Sequence, residues 1–245
     1  MSSNNPAARL YKVLEDCRSL DKDIKRKAAV QGWAKVLGLE GKDSYIVLSK
    51  IGKILALPEQ IATEIRQIKV LSSHDHYLEW QPEFFTLFLN MNIGSSFENF
   101  STRITKGLMA GIARCDDQLK THRPEKEILP ADLLAVRQQA DELYETVSVS
   151  ELDPALKRFL TDRLYMIIDA IDNYNLTGGN GLVLAMDATL GSFFCTNHEI
   201  AKELKDTEFK EPFIKLMSRI WLVLQITTTV PMLPEAFDKI VDYLT

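Results

Sequence analysis

Asp153–Ile171 reads DPALKRFLTDRLYMIIDAI. Asp153 stands where a helix N-cap accepts from free amides, and Pro154 takes the first helical position, where no donor is needed. Leu156, Phe159, Leu160, Leu164, Ile167, Ile168 and Ile171 then follow at three- and four-residue steps. That spacing gathers them on one face of an amphipathic α-helix.

Outward from this segment the same grammar repeats. Thr177, Gly178 and Gly179 form a stop, and Leu182, Met186, Thr189, Leu190 and Phe193 resume the stripe. Two more helices are predicted over about 212–228 and 234–244. Ile226, Thr227, Thr228, Thr229 and Val230 are β-formers, but the preceding Phe213, Leu216, Met217, Ile220, Trp221, Leu224 stripe favours helix. Upstream, Leu133, Val136, Ala140, Leu143, Tyr144 and Val147 mark a helix behind a charged linker, Thr121 to Pro130. Before it, Ser95 or Ser96 can cap a helix over about 97–119, in which Gly107 and Gly111 lie one turn apart.

The first quarter reads as four helices. Asn5 and Pro6 open one carrying Leu10, Val13, Leu14 and Cys17, and Asp21 opens a second carrying Ile24, Ala29, Trp33, Val36 and Leu37. A third runs from Asp43 to about Ala56, and Pro58 begins a fourth with Ile61, Ile65 and Ile68. A polar break, Ser72 to His76, separates these from an aromatic segment with Tyr77, Trp80, Phe84, Phe85 and Phe88. The expected fold is all-α, a multi-helix bundle of about nine to eleven helices. Residues 1–72 would form an amino-terminal bundle and 73–245 a larger helical domain, unless one core runs through both.

Composition narrows the function classes. The chain has 245 residues, 46% hydrophobic and 26% charged, which is a globular balance. Its net charge is −5, so nucleic acid is not an expected partner, because phosphate binding needs clustered Lys and Arg. Lys22, Lys25, Arg26 and Lys27 are interrupted by Asp21 and Asp23 and read as a solvated helix face. Met1 to Pro6 lacks the basic start and apolar run of a secretory signal. Cys17, Cys115 and Cys195 are odd in number and far apart, which fits a reduced, cytoplasmic setting. The apolar stretch Phe213 to Leu233 contains Lys215, Arg219 and Gln225 and is read as a core helix rather than a membrane segment.

Chemistry-bearing residues are sparse. His74, His76 and Glu79, with Ser73 and Asp75, are the densest set and the candidate metal ligands. Against this, positions 74 and 76 diverge on a helix, and Ser73 or Asp75 can simply cap the aromatic segment. Cys195 and His198, with Cys115 or His122, could form a thiolate catalytic pair or a metal site, or be a small core residue and a helix-end residue. The turn Leu176 to Gly181 offers converging amides but has no GxxxxGK[ST] pattern and no preceding strand. Asp162, Asp169, Asp172 and Asp187 could be paired carboxylates, but Arg158 stands four residues before Asp162 as an ordinary surface partner.

Leu156 to Phe194, LKRFLTDRLYMIIDAIDNYNLTGGNGLVLAMDATLGSFF, resembles a carboxy-terminal helical module of uncharacterised bacterial proteins, some carried by mobile elements or defence loci. Ile167, Ala170, Ile171, Tyr174, Gly178, Gly181, Leu182 and Gly191 carry the likeness. The resemblance implies a bacterial source and a helical fold, and brings no catalytic residue. Physically the segment is a helical hairpin, with Tyr174 packing over the glycine turn and Gly191 allowing close contact.

The expected function is a non-enzymatic protein-interaction or regulatory protein, an accessory component of a bacterial defence or mobile-element system. No cofactor is expected. A protein partner or a homo-oligomer is, through apolar surface at Trp80, Phe84 or Trp221. The alternatives are a metal-dependent enzyme or effector at His74 and His76, and a membrane-associating effector through 213–233.

Overall fold

Asn5 starts the first helix as expected. Its Oδ1 accepts from the Ala7 and Ala8 amides, each at 3.0 Å, and α1 runs Pro6–Ser19. The same side chain ties α1 to distant sequence, because Asn5 Nδ2 donates to Asp116 Oδ1 at 2.8 Å. Asn5→Ala is expected to cost about 1–2 kcal/mol, read as a lowered urea midpoint. An unchanged midpoint would mean that the cap is satisfied by water alone.

The structure is a computed structural model that describes residues 4–71, 73–125, 127–195 and 199–227. It is all-α, and among the described residues no strand occurs, only an isolated bridge between Ala28 and Ser96. The chain divides into two compact units, Met1–Glu125 and Lys126–Thr245. The break expected at 72–73 therefore falls inside the first unit, for a reason visible in its helices.

After α1 come α2 (Lys22–Lys25), α3 (Ala29–Val36), α4 (Ser44–Arg66), α5 (Asp75–Leu78), α6 (Gln81–Leu89), α7 (Glu98–Ser101) and α8 (Lys106–His122). α1 packs on α8 as well as on α4, so the first helix needs the eighth to bury its stripe. Leu10, Leu14 and Cys17 are sealed from solvent, as are Ile54, Leu57, Ile61 and Ile65 of α4 and Leu108, Ile112 and Cys115 of α8. Burying a Leu or Ile side chain contributes about 1.5–3 kcal/mol, which outweighs the polar break at 72–76. Two ion pairs reinforce the closure. Buried Arg9 meets Glu125 at 3.2 Å, and Arg123 at the end of α8 meets Glu64 of α4.

Three expected helix limits differ, each for a packing reason. The two helices expected around Pro58 are one, α4, with Pro58 inside it. Val47, Ile51, Ile54, Pro58, Ile61 and Ile65 all lie on the buried face, so the stripe passes through the proline in phase and its burial offsets the lost backbone bond. Gln81 Nε2 further donates to the Pro58 carbonyl at 2.7 Å. The helix expected from Asp21 to Leu37 is split, because the Ala29 amide donates to Ser95 O at 2.7 Å and the Phe97 amide to Lys27 O at 2.9 Å. The helix expected over 97–119 is likewise two, since Thr105 accepts from the Leu108 amide at 3.0 Å and caps α8 anew.

The bridge locates an aromatic core. Trp33 is fully buried among Phe88, Phe97 and Phe100, with ring centroids at 5.7, 5.8 and 5.1 Å. Its Nε1 donates to Met91 Sδ at 3.0 Å.

The second unit holds α9 (Pro130–Val149), α10 (Pro154–Asp172), α11 (Tyr174–Thr177), α12 (Gly179–Cys195), α13 (Glu199–Lys205) and α14 (Lys210–Thr227). The stripe quoted at the outset is its centre: Leu156, Phe159, Leu160, Leu164 and Ile167 are buried, and Asp153 accepts from the Ala155 amide at 2.8 Å. α10 packs on α9 and α12, and α14 packs on both of those. Gly178 has φ +60°, a conformation that favours glycine and turns the chain between α11 and α12. Tyr174 is buried, and its hydroxyl accepts from the Ile128 amide at 2.8 Å, which ties α11 to the segment before α9. Among the described residues nothing lies within 4 Å of a Cβ position on Gly191, so they provide no close contact there. The helix expected over 234–244 and the end of the stretch 213–233 lie outside the described residues. Among the described residues no helix is long and apolar enough to cross a membrane.

Candidate functional site

The expected metal ligands are used separately. α5 is a single turn, and His74 before it is half-buried with Nε2 donating to the Ile68 carbonyl at 3.0 Å. His76, one residue into the turn, lies exposed with Nδ1 3.3 Å from Glu79 Oε1. Among the described residues no three His, Cys, Asp or Glu side chains come together as a metal site. Zinc titrated into the chain is therefore expected to give no stoichiometric calorimetric signal that His74→Ala and His76→Ala together abolish.

The aromatic residues expected at a surface are mostly core. Phe84 is fully buried and Trp80 nearly so, with ring centroids 6.2 Å apart, and Trp80 lies against Gly111. The reason is that α8 packs on α5 and over Trp80 within the first unit, while Phe84 stacks against Phe88. Trp221 is half-buried on the core of the second unit.

The cysteines are structural where described. Cys17 and Cys115 are free and buried, and Cys115 Sγ donates to the Tyr77 carbonyl at 3.1 Å. Burial pushes the Cys115 thiol from about 9.0 up to about 11, and the Cys17 thiol well above its usual range. Both should resist iodoacetamide at neutral pH and react once urea unfolds the first unit, as intact mass would show. Because the folded state holds the Cys115 proton more tightly, stability should fall as pH rises from 9.0 to about 11. The Cys195 side chain and all of His198 lie outside the described residues.

The carboxylates also have ordinary partners. Asp162 sits 3.8 Å from Arg158, Asp172 is 2.9 Å from Arg137 Nε, and Asp169 accepts from Asn173 at 2.7 Å. Asp187 is pushed above its ordinary value by partial desolvation.

What the structure adds is a groove of about 720 Å³ in the second unit, between α9 and the beginning of α14. Gln139, Glu142, Leu143 and Thr146 form one wall, and Glu208, Phe209, Glu211, Pro212, Ile214 and Lys215 the other. Leu143 and Phe209 are buried, while Glu142, Glu208 and Glu211 are exposed along the rim. Gln139 Oε1 is shut from solvent with no hydrogen-bond donor among the described residues. The groove belongs to the acidic part of the chain: residues 126–245 carry 19 Asp and Glu against 11 Lys and Arg, whereas 1–125 carry 15 against 18.

A second hollow of about 540 Å³, in the first unit, has Lys27, Lys35 and Lys42 in its lining. Its charge is partly spent internally, since Lys35 pairs with Glu40 at 2.6 Å. That contact holds the Glu40 carboxyl below its ordinary value and raises Lys35.

No family model matches the chain. Neither a curated protein nor a solved structure matches it. Function must therefore be argued from the groove and its chemistry. The sequence signal for it was the spacing Gln139, Leu143, Thr146 on α9, and the mixed run EFKEPFIK at 208–215. Neither looks unusual until the two are side by side.

Proposed function

We propose that the protein is a non-enzymatic interaction protein that holds a partner protein in the groove between α9 and α14. The observation that carries the reading is an open groove with a buried apolar floor and a charged rim. Recognition sites combine these properties, because apolar contact supplies affinity and the rim selects orientation and partner. An accessory role in a bacterial defence or mobile-element system is the narrower form of the proposal, and rests on the resemblance of residues 156–194.

A photo-crosslinking amino acid placed at the exposed groove residue Thr146 tests the reading in cells that express the protein. One discrete protein adduct is expected, and it should be missing when the crosslinker is placed at Glu151, which does not line the groove. No adduct, or the same adducts from both positions, would refute the proposal.

A further inference from the structure

We infer that the occupant of this groove is a cationic amphipathic helix of the partner protein. The inference rests on the interaction reading above and gives the partner its chemistry.

Length comes first. Gln139, Leu143 and Thr146 stand at i, i+4 and i+7 on α9, so this wall is about 10 Å long at 1.5 Å per residue. Two turns of a helix have that length, and a groove reads such a helix through apolar anchors at the same spacing. Leu143 and Phe209 form the buried floor, with Pro212 and half-buried Ile214 beside them.

Charge then selects among amphipathic helices. Glu142 and Glu208 have no ion pair among the described residues, and Glu211 has only Lys210 at 3.7 Å. Among the described residues Lys215 is the single basic one in the lining. Lys or Arg flanking the partner's apolar stripe would meet these carboxylates at the solvated rim, where pairing needs no burial of charge. One of their N–H groups also suits Gln139 Oε1, which lacks a donor, once that side chain turns into the groove. Acidic helices are repelled by the same rim. Residues 228–245 of this chain carry three carboxylates and one lysine, so charge disfavours them as the occupant.

Fluorescein-labelled peptides of about five helical turns, each with a leucine stripe and either Lys and Arg or Glu on its flanks, are titrated with the full chain. The cationic peptide should bind saturably and weaken with added salt. Binding should fall by about tenfold or more in the double variant E142K and E208K. A second double variant, E151K and E203K, makes the same change of net charge at exposed residues outside the groove and should bind as the wild type does. Equal losses in both variants would overturn the inference, since attraction would then be to net charge alone.

The remaining outcomes separate the two readings. If the Glu-flanked peptide binds equally well, or the chain self-associates in sedimentation and E142K with E208K dissolves that association, the groove is an interface but its occupant is misassigned. If neither peptide binds and Thr146 yields no crosslink, both readings fall.

Discussion

Trp33→Ala is expected to remove about 4 kcal/mol from the stability of the first unit. The indole is fully buried, touches three phenylalanine rings and donates to Met91 Sδ. Alanine leaves a cavity that cannot collapse cheaply, because Phe88 of α6 and the Phe97–Phe100 pair at α7 pack on one another around it, and the Ala28–Ser96 bridge holds the α7 segment in place. Against a total of about 5–15 kcal/mol for an ordinary domain, the loss should be plain in urea unfolding followed by circular dichroism. Trp33→Phe, which keeps most of the ring volume, should lose much less. A loss below about 1 kcal/mol for alanine would mean that the aromatic cluster is not a packed core.

The second large effect is expected at a glycine. A Cβ on Gly111 would lie 2.7 Å from Trp80 Cβ and 2.9 Å from two of its ring atoms. Trp80 is itself buried against Phe84, so it has little room to retreat. Gly111→Ala should therefore destabilise by about 2–3 kcal/mol, the cost of overpacking a close contact. Gly52 in α4 has nothing within 4 Å of its Cβ position among the described residues, and Gly52→Ala should instead stabilise by about 0.5–1 kcal/mol. Opposite signs for the two substitutions are the test, and two changes of the same sign would remove the helix-contact role given to Gly111. Gly107, one turn away, meets only Thr105 Oγ1 at 3.5 Å, so the pair read from the sequence contains one glycine that the packing needs.

Local signals were legible wherever a segment's own chemistry decides its structure. Asn5 with Pro6, and Asp153 with Pro154, begin helices because cap and proline act within a few residues. The α10 stripe faced the core because its period is unambiguous. Legibility ended where distant segments compete for the same groups. Pro58 would stop an isolated helix, but the buried faces before and after it keep α4 whole. Lys27 to Ala29 would continue a helix, but their backbone is paired with residues 95–97. Trp80 and Phe84 looked like surface because nothing in their own segment shows that α8 lies over Trp80 or that Phe84 joins the aromatic core through Phe88. The groove was hidden for the opposite reason: its polar residues sit on solvated faces, and only the approach of α14 to α9 makes an enclosure of them.

The dependence of α1 on α8 reaches back to synthesis. Asn5 and Asp116, which bond directly, are 111 residues apart. At ribosomal rates of about 5–20 residues per second, α1 is complete on the order of ten seconds before its partner has been made. Throughout that interval α1 has only α3 and α4 to pack on and its α8 contacts are missing, so the nascent amino-terminal helix is a natural client for a chaperone waiting at the ribosome exit.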